Sequence, residues 1–266
     1  MIPTADQAAV PALECRQVER RFGGLVALTG VDMRIARGEI FGLVGPNGSG
    51  KTTLTNAITG FYPPQKGHIL LDGRDITGLA PHKVARLGVA RTFQNLALFN
   101  GMTVLDNILL GRHIHMHPSV LRTALYPLLA RKEEIEHRRI VEDLIDFLQL
   151  QGVRDQLVDV IPIGLKKRVE LARALVAEPH FLILDEPMAG MNQEEKEYMA
   201  RFVLDARDER GVTVLLIEHH MDIITGICDR MLVLSYGEMI DTGIPREVVR
   251  DPRVIKAYLG GAGGTV

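Results

Sequence analysis

The chain has 266 residues, 46% of them hydrophobic and 24% charged. That balance excludes collagen-like, low-complexity and wholly disordered chains and is enough for a substantial core. A formal net charge of −2 argues against a backbone grip on nucleic acid, which asks for a strongly basic surface. Cys15 and Cys228 stand too far apart for a zinc or redox spacing and form no disulfide framework, which fits a reducing compartment.

Residues 1–11 carry Asp6 but no basic cluster and no long apolar run, so they read as a flexible leader rather than a secretory signal. Leu13 and Val18, Val26 and Leu28, then Val31, Met33 and Ile35 recur in short alternating stretches broken at Gly23-Gly24 and Gly38, which predicts antiparallel strands across 12–40. Ile40–Val44 reads as a buried strand, Thr52–Gly60 as a helix, and His68–Leu71 as a strand ending at the Asp72-Gly73 turn. From about residue 103 the pattern turns helical. Thr103 and Asp106 resemble a capping box ahead of Ile108–Leu110, and Pro118 is expected to stop that helix. Val141, Leu144, Ile145 and Leu148 fall at i, i+3, i+4 and i+7, which predicts an amphipathic helix ended by Gly152. The runs Phe181–Leu184, Val212–Ile217 and Met231–Leu234 have the look of buried parallel strands. All are far shorter than the ~20 residues of a membrane-spanning helix. The expected organisation is one domain over 12–245, with an α/β core (12–92 and 165–240), a helical subdomain (about 93–164) and a tail over 246–266.

Gly45-Pro46-Asn47-Gly48-Ser49-Gly50-Lys51-Thr52 matches G-x-x-x-x-G-K-[ST] between an apolar strand and a helix, the setting that this motif requires. Its glycines let backbone N–H groups converge on phosphate oxygens, and the helix N-terminus adds partial positive charge. Lys51 can reach β- and γ-phosphates, the Thr52 hydroxyl can ligate Mg2+, and Thr53 follows it into the helix. Phe181–Leu184 leads into Asp185, Glu186 and Pro187, an apolar strand tipped with two acids. Strand neighbours point to opposite faces, so one acid can organise the metal shell while the other activates water.

With these motifs the chain resembles the nucleotide-binding subunit of an ATP-binding cassette (ABC) transporter over essentially its whole length. Phe22 stands where that family places an aromatic ring on adenine. Arg91-Thr92-Phe93-Gln94-Asn95 resembles its Q-loop, Gly164–Leu175 its signature segment and helix, Pro187–Asn192 its D-loop, and Ile217–Met221 its switch-histidine segment. RFGGLVAL, RTFQNLALF, TVLDNILLGRH, ELARAL and the tail VIKAYLG make it most similar to ATPases of branched-chain (hydrophobic) amino-acid importers.

The resemblance implies a P-loop NTPase fold with an antiparallel β subdomain and a helical subdomain. It implies that Gln94 senses the γ-phosphate and contributes with Thr52 to the Mg2+ site, that Asp185 orders Mg2+ through water, and that Glu186 is the general base. His219 would hold the γ-phosphate and the attacking water. Two such subunits would sandwich two ATP molecules, each capped by the partner's signature glycine, Gly164. Further implied partners are transmembrane permease subunits and, indirectly, a substrate-binding protein, with the chain peripheral on the cytoplasmic face of the inner membrane and soluble when isolated. No nucleic-acid partner is implied. Two other readings stay open: the ATPase of a lipopolysaccharide-type exporter, and a regulatory cassette that holds ATP with low hydrolysis.

The sequence departs from the family at Ile161-Pro162-Ile163-Gly164-Leu165, where only the glycine of L-S-G-G-Q keeps its place. Pro162 lacks both the serine hydroxyl and a backbone N–H. Lys166 and Lys167, in the first turn of the helix that follows, read as solvated surface or as a weak anion contact. His220 replaces a customary Asp and takes no role. His113, His115 and His117 alternate ahead of Pro118 without a carboxylate or Cys to complete a metal set. Leu96, Leu98, Phe99 and Met102 read either as core or, following the resemblance, as the border of a groove for a permease helix.

Overall fold

The computed structural model of the chain describes residues 10–92, 97–114 and 127–260. In chain order these are β1 (Leu13–Phe22), β2 (Leu25–Ile35), β3 (Ile40–Val44), α1 (Lys51–Ile58), β4 (Lys66–Leu71), β5 (Arg74–Asp75), α2 (Pro81–Arg86) and β6 (Val89–Arg91). Then come α3 (Val104–Leu110), α4 (Pro127–Phe147), α5 (Ile163–Leu175), β7 (Phe181–Asp185), α6 (Gln193–Arg210), β8 (Thr213–Ile217) and α7 (Met221–Ile227). The order closes with β9 (Arg230–Ser235), β10 (Glu238–Gly243), α8 (Pro245–Val248) and α9 (Pro252–Gly260).

Two sheets carry the fold. An antiparallel sheet runs β2-β1-β4-β5. A larger sheet runs β10-β9-β3-β8-β7-β6, parallel from β6 to β9 with β10 antiparallel at one edge. The chain is thus an α/β protein, as expected. Each of β3, β7 and β8 is buried at every residue, because a parallel sheet is covered on both faces. Side chains alternate across the pleat. Ile40, Val44, Leu182, Leu184, Val214 and Leu216 enter a core shared with the helices. Phe41, Leu43, Phe181, Ile183, Leu215 and Ile217 enter a second core shared with α1 and the antiparallel sheet. The period-2 reading of β2 holds over Val31, Met33 and Ile35 and slips at Gly30, where φ is 59° and the register to β1 shifts.

Several boundaries move from their expected places. The helix after the glycine-rich loop ends at Ile58, two residues before Gly60. The helix behind Thr103 ends at Leu110 and tightens into a 3-10 turn over Gly111–Ile114; the expected stop, Pro118, lies outside the described residues. Thr103 does cap it: the Asp106 N–H donates to Thr103 Oγ1 at 3.1 Å. The long helix α4 stops at Phe147 rather than at Gly152. Gln149 takes φ 54°, the Leu150 N–H donates to Ile145 O, and the Gln149 N–H donates to Asp146 O. That pair of bonds is a Schellman closure built on Gln instead of Gly. Among the described residues no helix is long and apolar enough to cross a membrane.

Candidate active site

Strand β3 delivers the loop 45–50 to the N-terminus of α1. A Cβ on Gly45 would collide with the Leu234 carbonyl and Ser49 Oγ, and one on Gly50 would sit 2.7 Å from Ala27 O, so both positions need glycine. The turn at Tyr236-Gly237 braces this loop. The Gly237 N–H donates to Ser49 O at 2.9 Å, and the Thr29 N–H donates to Gly237 O at 2.8 Å. Lys51 is buried and its ammonium donates to Gly45 O at 2.6 Å and Pro46 O at 3.0 Å. Burial lowers its pKa from the ordinary lysine value, while Glu186 and Asp185 oppose that shift. Ser49 Oγ is buried with no hydrogen-bond partner among the described residues.

A cleft of about 340 Å³ opens over this loop. Asn47, Gly48, Ser49, Gly50, Lys51, Thr52 and Thr53 form one wall, Asp185 and Glu186 another, and Phe22 stands at the rim. Phe22 is 39% exposed; Tyr62 meets it edge-on at 5.4 Å and the Arg20 guanidinium lies 4.8 Å from its ring centre. The fold therefore gathers an aromatic ring, a phosphate-loop backbone, a lysine and two acids that are far apart in sequence.

The two acids separate by a different device than strand alternation. Asp185 is the last residue of β7, but Glu186 turns off the strand with φ 50°. The Glu186 N–H still donates to Ile217 O at 2.9 Å. His219, beyond the end of β8, donates from Nε2 to Glu186 Oε1 at 2.7 Å. Between them in the chain sits Glu218, 2% exposed, whose carboxylate accepts from the Met188 and His219 backbone N–H groups at 3.0 and 3.2 Å. Burial raises its pKa above the usual carboxylate value, against the pull of those two hydrogen bonds. Asp185 is met by Arg91 at the end of β6.

Gly164 lies outside this cleft. It sits in the first turn of α5, where a Cβ would collide with the Glu195 carboxylate. Lys167 is not the solvated side chain expected: it is 5% exposed, 3.6 Å from the Glu170 carboxylate, because its face of α5 turns inward. Lys166 donates to Asp159 O. Gln94 lies outside the described residues, as do His115 and His117. A second concavity of about 780 Å³ opens elsewhere and is lined by Phe61, Ala97, Phe99, Leu110 and Arg173 among others. Phe99 is 55% exposed there, which settles its surface position against the core reading, while Leu98 packs on the helical core.

Arg91 and Glu218 lie inside segments that the sequence singles out but carry no role there, and Tyr236 is not singled out at all. Their signals are faint: a charged residue ending a short apolar strand, an acid directly behind a buried one, and an aromatic residue before a turn glycine.

The profile of the ABC transporter family matches residues 28–189, and that of the branched-chain amino acid ATP-binding cassette transporter family matches residues 242–263. The high-affinity branched-chain amino acid transport ATP-binding protein BraF of Pseudomonas aeruginosa is 39% identical over 252 residues, covering 95% of this chain and 99% of BraF. The lipopolysaccharide export system ATP-binding protein LptB of Acidithiobacillus ferridurans is 36% identical over 248 residues, covering 93% and 96%. The ADP conformation of MJ1267, an ATP-binding cassette of an ABC transporter, superposes with a TM-score of 0.82 at 33% identity, covering 94% of this chain and 99% of that one. The chain therefore belongs to the ABC transporter family, as one of its ATP-binding cassette ATPases.

Proposed function

We propose that this ATPase powers a membrane importer of branched-chain or other hydrophobic amino acids, or of related amides. The observation that carries the reading is the match of residues 242–263, C-terminal to the 28–189 segment of the general family match, to the branched-chain amino acid transporter family. In this reading the adenine stacks on Phe22. The loop N–H groups from Gly45 to Gly50 and the Lys51 ammonium take the phosphates, which draws Lys51 away from the Gly45 and Pro46 carbonyls. The Glu186 carboxylate, oriented by His219, accepts a proton from the attacking water. Thr52, Gln94 and Asp185 would hold Mg2+. Their hydroxyl, amide and carboxylate oxygens are the hard donors that this ion takes. When bound, Mg2+ neutralises charge across the β- and γ-phosphates.

Two cassettes close head to tail, so that Gly164 of each caps the nucleotide of the other. ATP drives closure only because the closed state binds it better than ADP. The permease subunits dock at the groove that Phe99 borders, and a substrate-binding protein acts through them. This places the chain as a peripheral protein on the cytoplasmic face of the membrane, with no nucleic-acid partner.

The likeness to LptB supports a second reading, in which the same engine drives lipopolysaccharide export. Purification with its membrane subunits and reconstitution into proteoliposomes separates the two. Import predicts ATP-dependent uptake of leucine, isoleucine or valine, with ATPase activity stimulated by the loaded binding protein. A complex that ignores amino acids but is stimulated by lipopolysaccharide sinks the import reading.

A further inference from the structure

We infer that Arg91 is the positioning residue for Asp185, holding that carboxylate where it serves Mg2+; the inference rests on the Mg2+ role proposed above for Asp185. Arg91 ends the edge strand β6. Its Nη2 donates to Asp185 Oδ2 at 2.7 Å and its Nη1 donates to Asn56 Oδ1 at 2.6 Å. The two charged side chains are 8% and 5% exposed. One guanidinium thus joins the tip of β6, the tip of β7 and the helix that the phosphate loop opens. A second link runs beside it: the Asp185 N–H donates to Thr92 Oγ1 at 3.1 Å, and the Thr92 N–H donates to Ile183 O at 2.9 Å.

A buried ion pair is weak evidence for stability, because desolvation offsets much of the attraction. Its contribution here is directional. The planar guanidinium presents fixed N–H directions, so it sets the plane of a carboxylate as an ammonium does not. Arg91 takes one oxygen of Asp185, a residue that also lines the nucleotide cleft. Arg91 itself does not line that cleft but lines the concavity of about 780 Å³ on the other side, so it acts from behind its carboxylate. Groups that orient a metal-serving carboxylate in this way are typically worth about 10–100-fold in metal affinity.

The test uses the full chain and a fluorescent ATP analogue, titrated in EDTA and then with rising Mg2+. In Arg91→Met the affinity in EDTA should change by much less than the Mg2+ dependence, because the side-chain bonds of Arg91 to Asn56 and Asp185 lie outside loop 45–50. The Mg2+ concentration for half-maximal tightening should rise about tenfold. Arg91→Lys, which keeps the charge and loses the fork, should shift it by a smaller factor, with thermal unfolding near that of the parent. If Arg91→Met does not fold, Arg91→Lys alone decides. Parent-like Mg2+ dependence in the Arg91 variants, with the dependence lost in Asp185→Asn, overturns the role of Arg91. Parent-like dependence in Asp185→Asn as well overturns the premise about Asp185, and the inference with it.

Discussion

Glu186 shows how much rests on single side chains. Its φ of 50° is an arrangement that costs a non-glycine residue of order 1 kcal/mol or more and persists where the surroundings enforce it. Here the bonds to Ile217 O and His219 enforce it. In the proposed reaction, Glu186→Gln keeps an oxygen to accept from His219 but loses the base. Phosphate release should fall by about 10²–10⁴-fold while ATP binding persists, trapping a closed dimer visible by gel filtration in ATP. Normal turnover would remove Glu186 as the base. Glu218 gives a pH prediction. Its folded pKa is raised, so the folded chain holds a proton that the unfolded chain releases near 4.5. Its contribution to stability is full below that value and is lost as pH rises through the folded pKa. Glu218→Gln should therefore flatten stability against pH just above 4.5, measured by urea midpoints; an unchanged slope would mean that Glu218 is not the group responsible. At this scale the motif residues were legible, because Gly, Lys and Thr at fixed spacing have few other uses. The burial of Lys167 was not, because a charged side chain is read as solvated until its burial is seen, and the pairing of Arg91 with Asp185 was not, because it joins residues far apart in the chain.

Among elements, the phosphate-loop strand and helix were legible from an apolar run followed by glycines. Ends were harder. The stop of α4 depends on Gln149 adopting a left-handed conformation that Gln seldom takes. The start of α6 is a full capping box: the Glu195 N–H donates to Asn192 Oδ1 at 2.9 Å and the Asn192 N–H donates to Glu195 Oε2 at 3.0 Å. Asn192→Ala should cost about 1 kcal/mol, seen as a lower denaturant midpoint. Because Glu195 also abuts Gly164, the start of α5 should loosen with it, and proteolysis near residue 164 should quicken. An unchanged midpoint would show that the cap contributes little here.

For the molecule as a whole, alternation along the parallel strands divides the interior into two cores, and the cleft lies where the strand ends and the phosphate loop meet the antiparallel sheet. The groove bordered by Phe99 lies apart from that cleft. If the permease docks there as proposed, Phe99→Asp should block assembly or uncouple transport, while ATP affinity stays within about twofold in equilibrium binding. Intact transport would argue that the permease docks elsewhere.

The α/β class, the buried strands Ile40–Val44, Phe181–Asp185 and Thr213–Ile217, and the glycine-rich loop before α1 follow from local information: apolar runs and glycine spacing. The pairing of Arg91 with Asp185, of His219 with Glu186 and of Tyr236-Gly237 with the phosphate loop joins residues 94, 33 and about 188 positions apart. Such contacts depend on strand order and on which face each side chain takes, and a linear pattern carries neither.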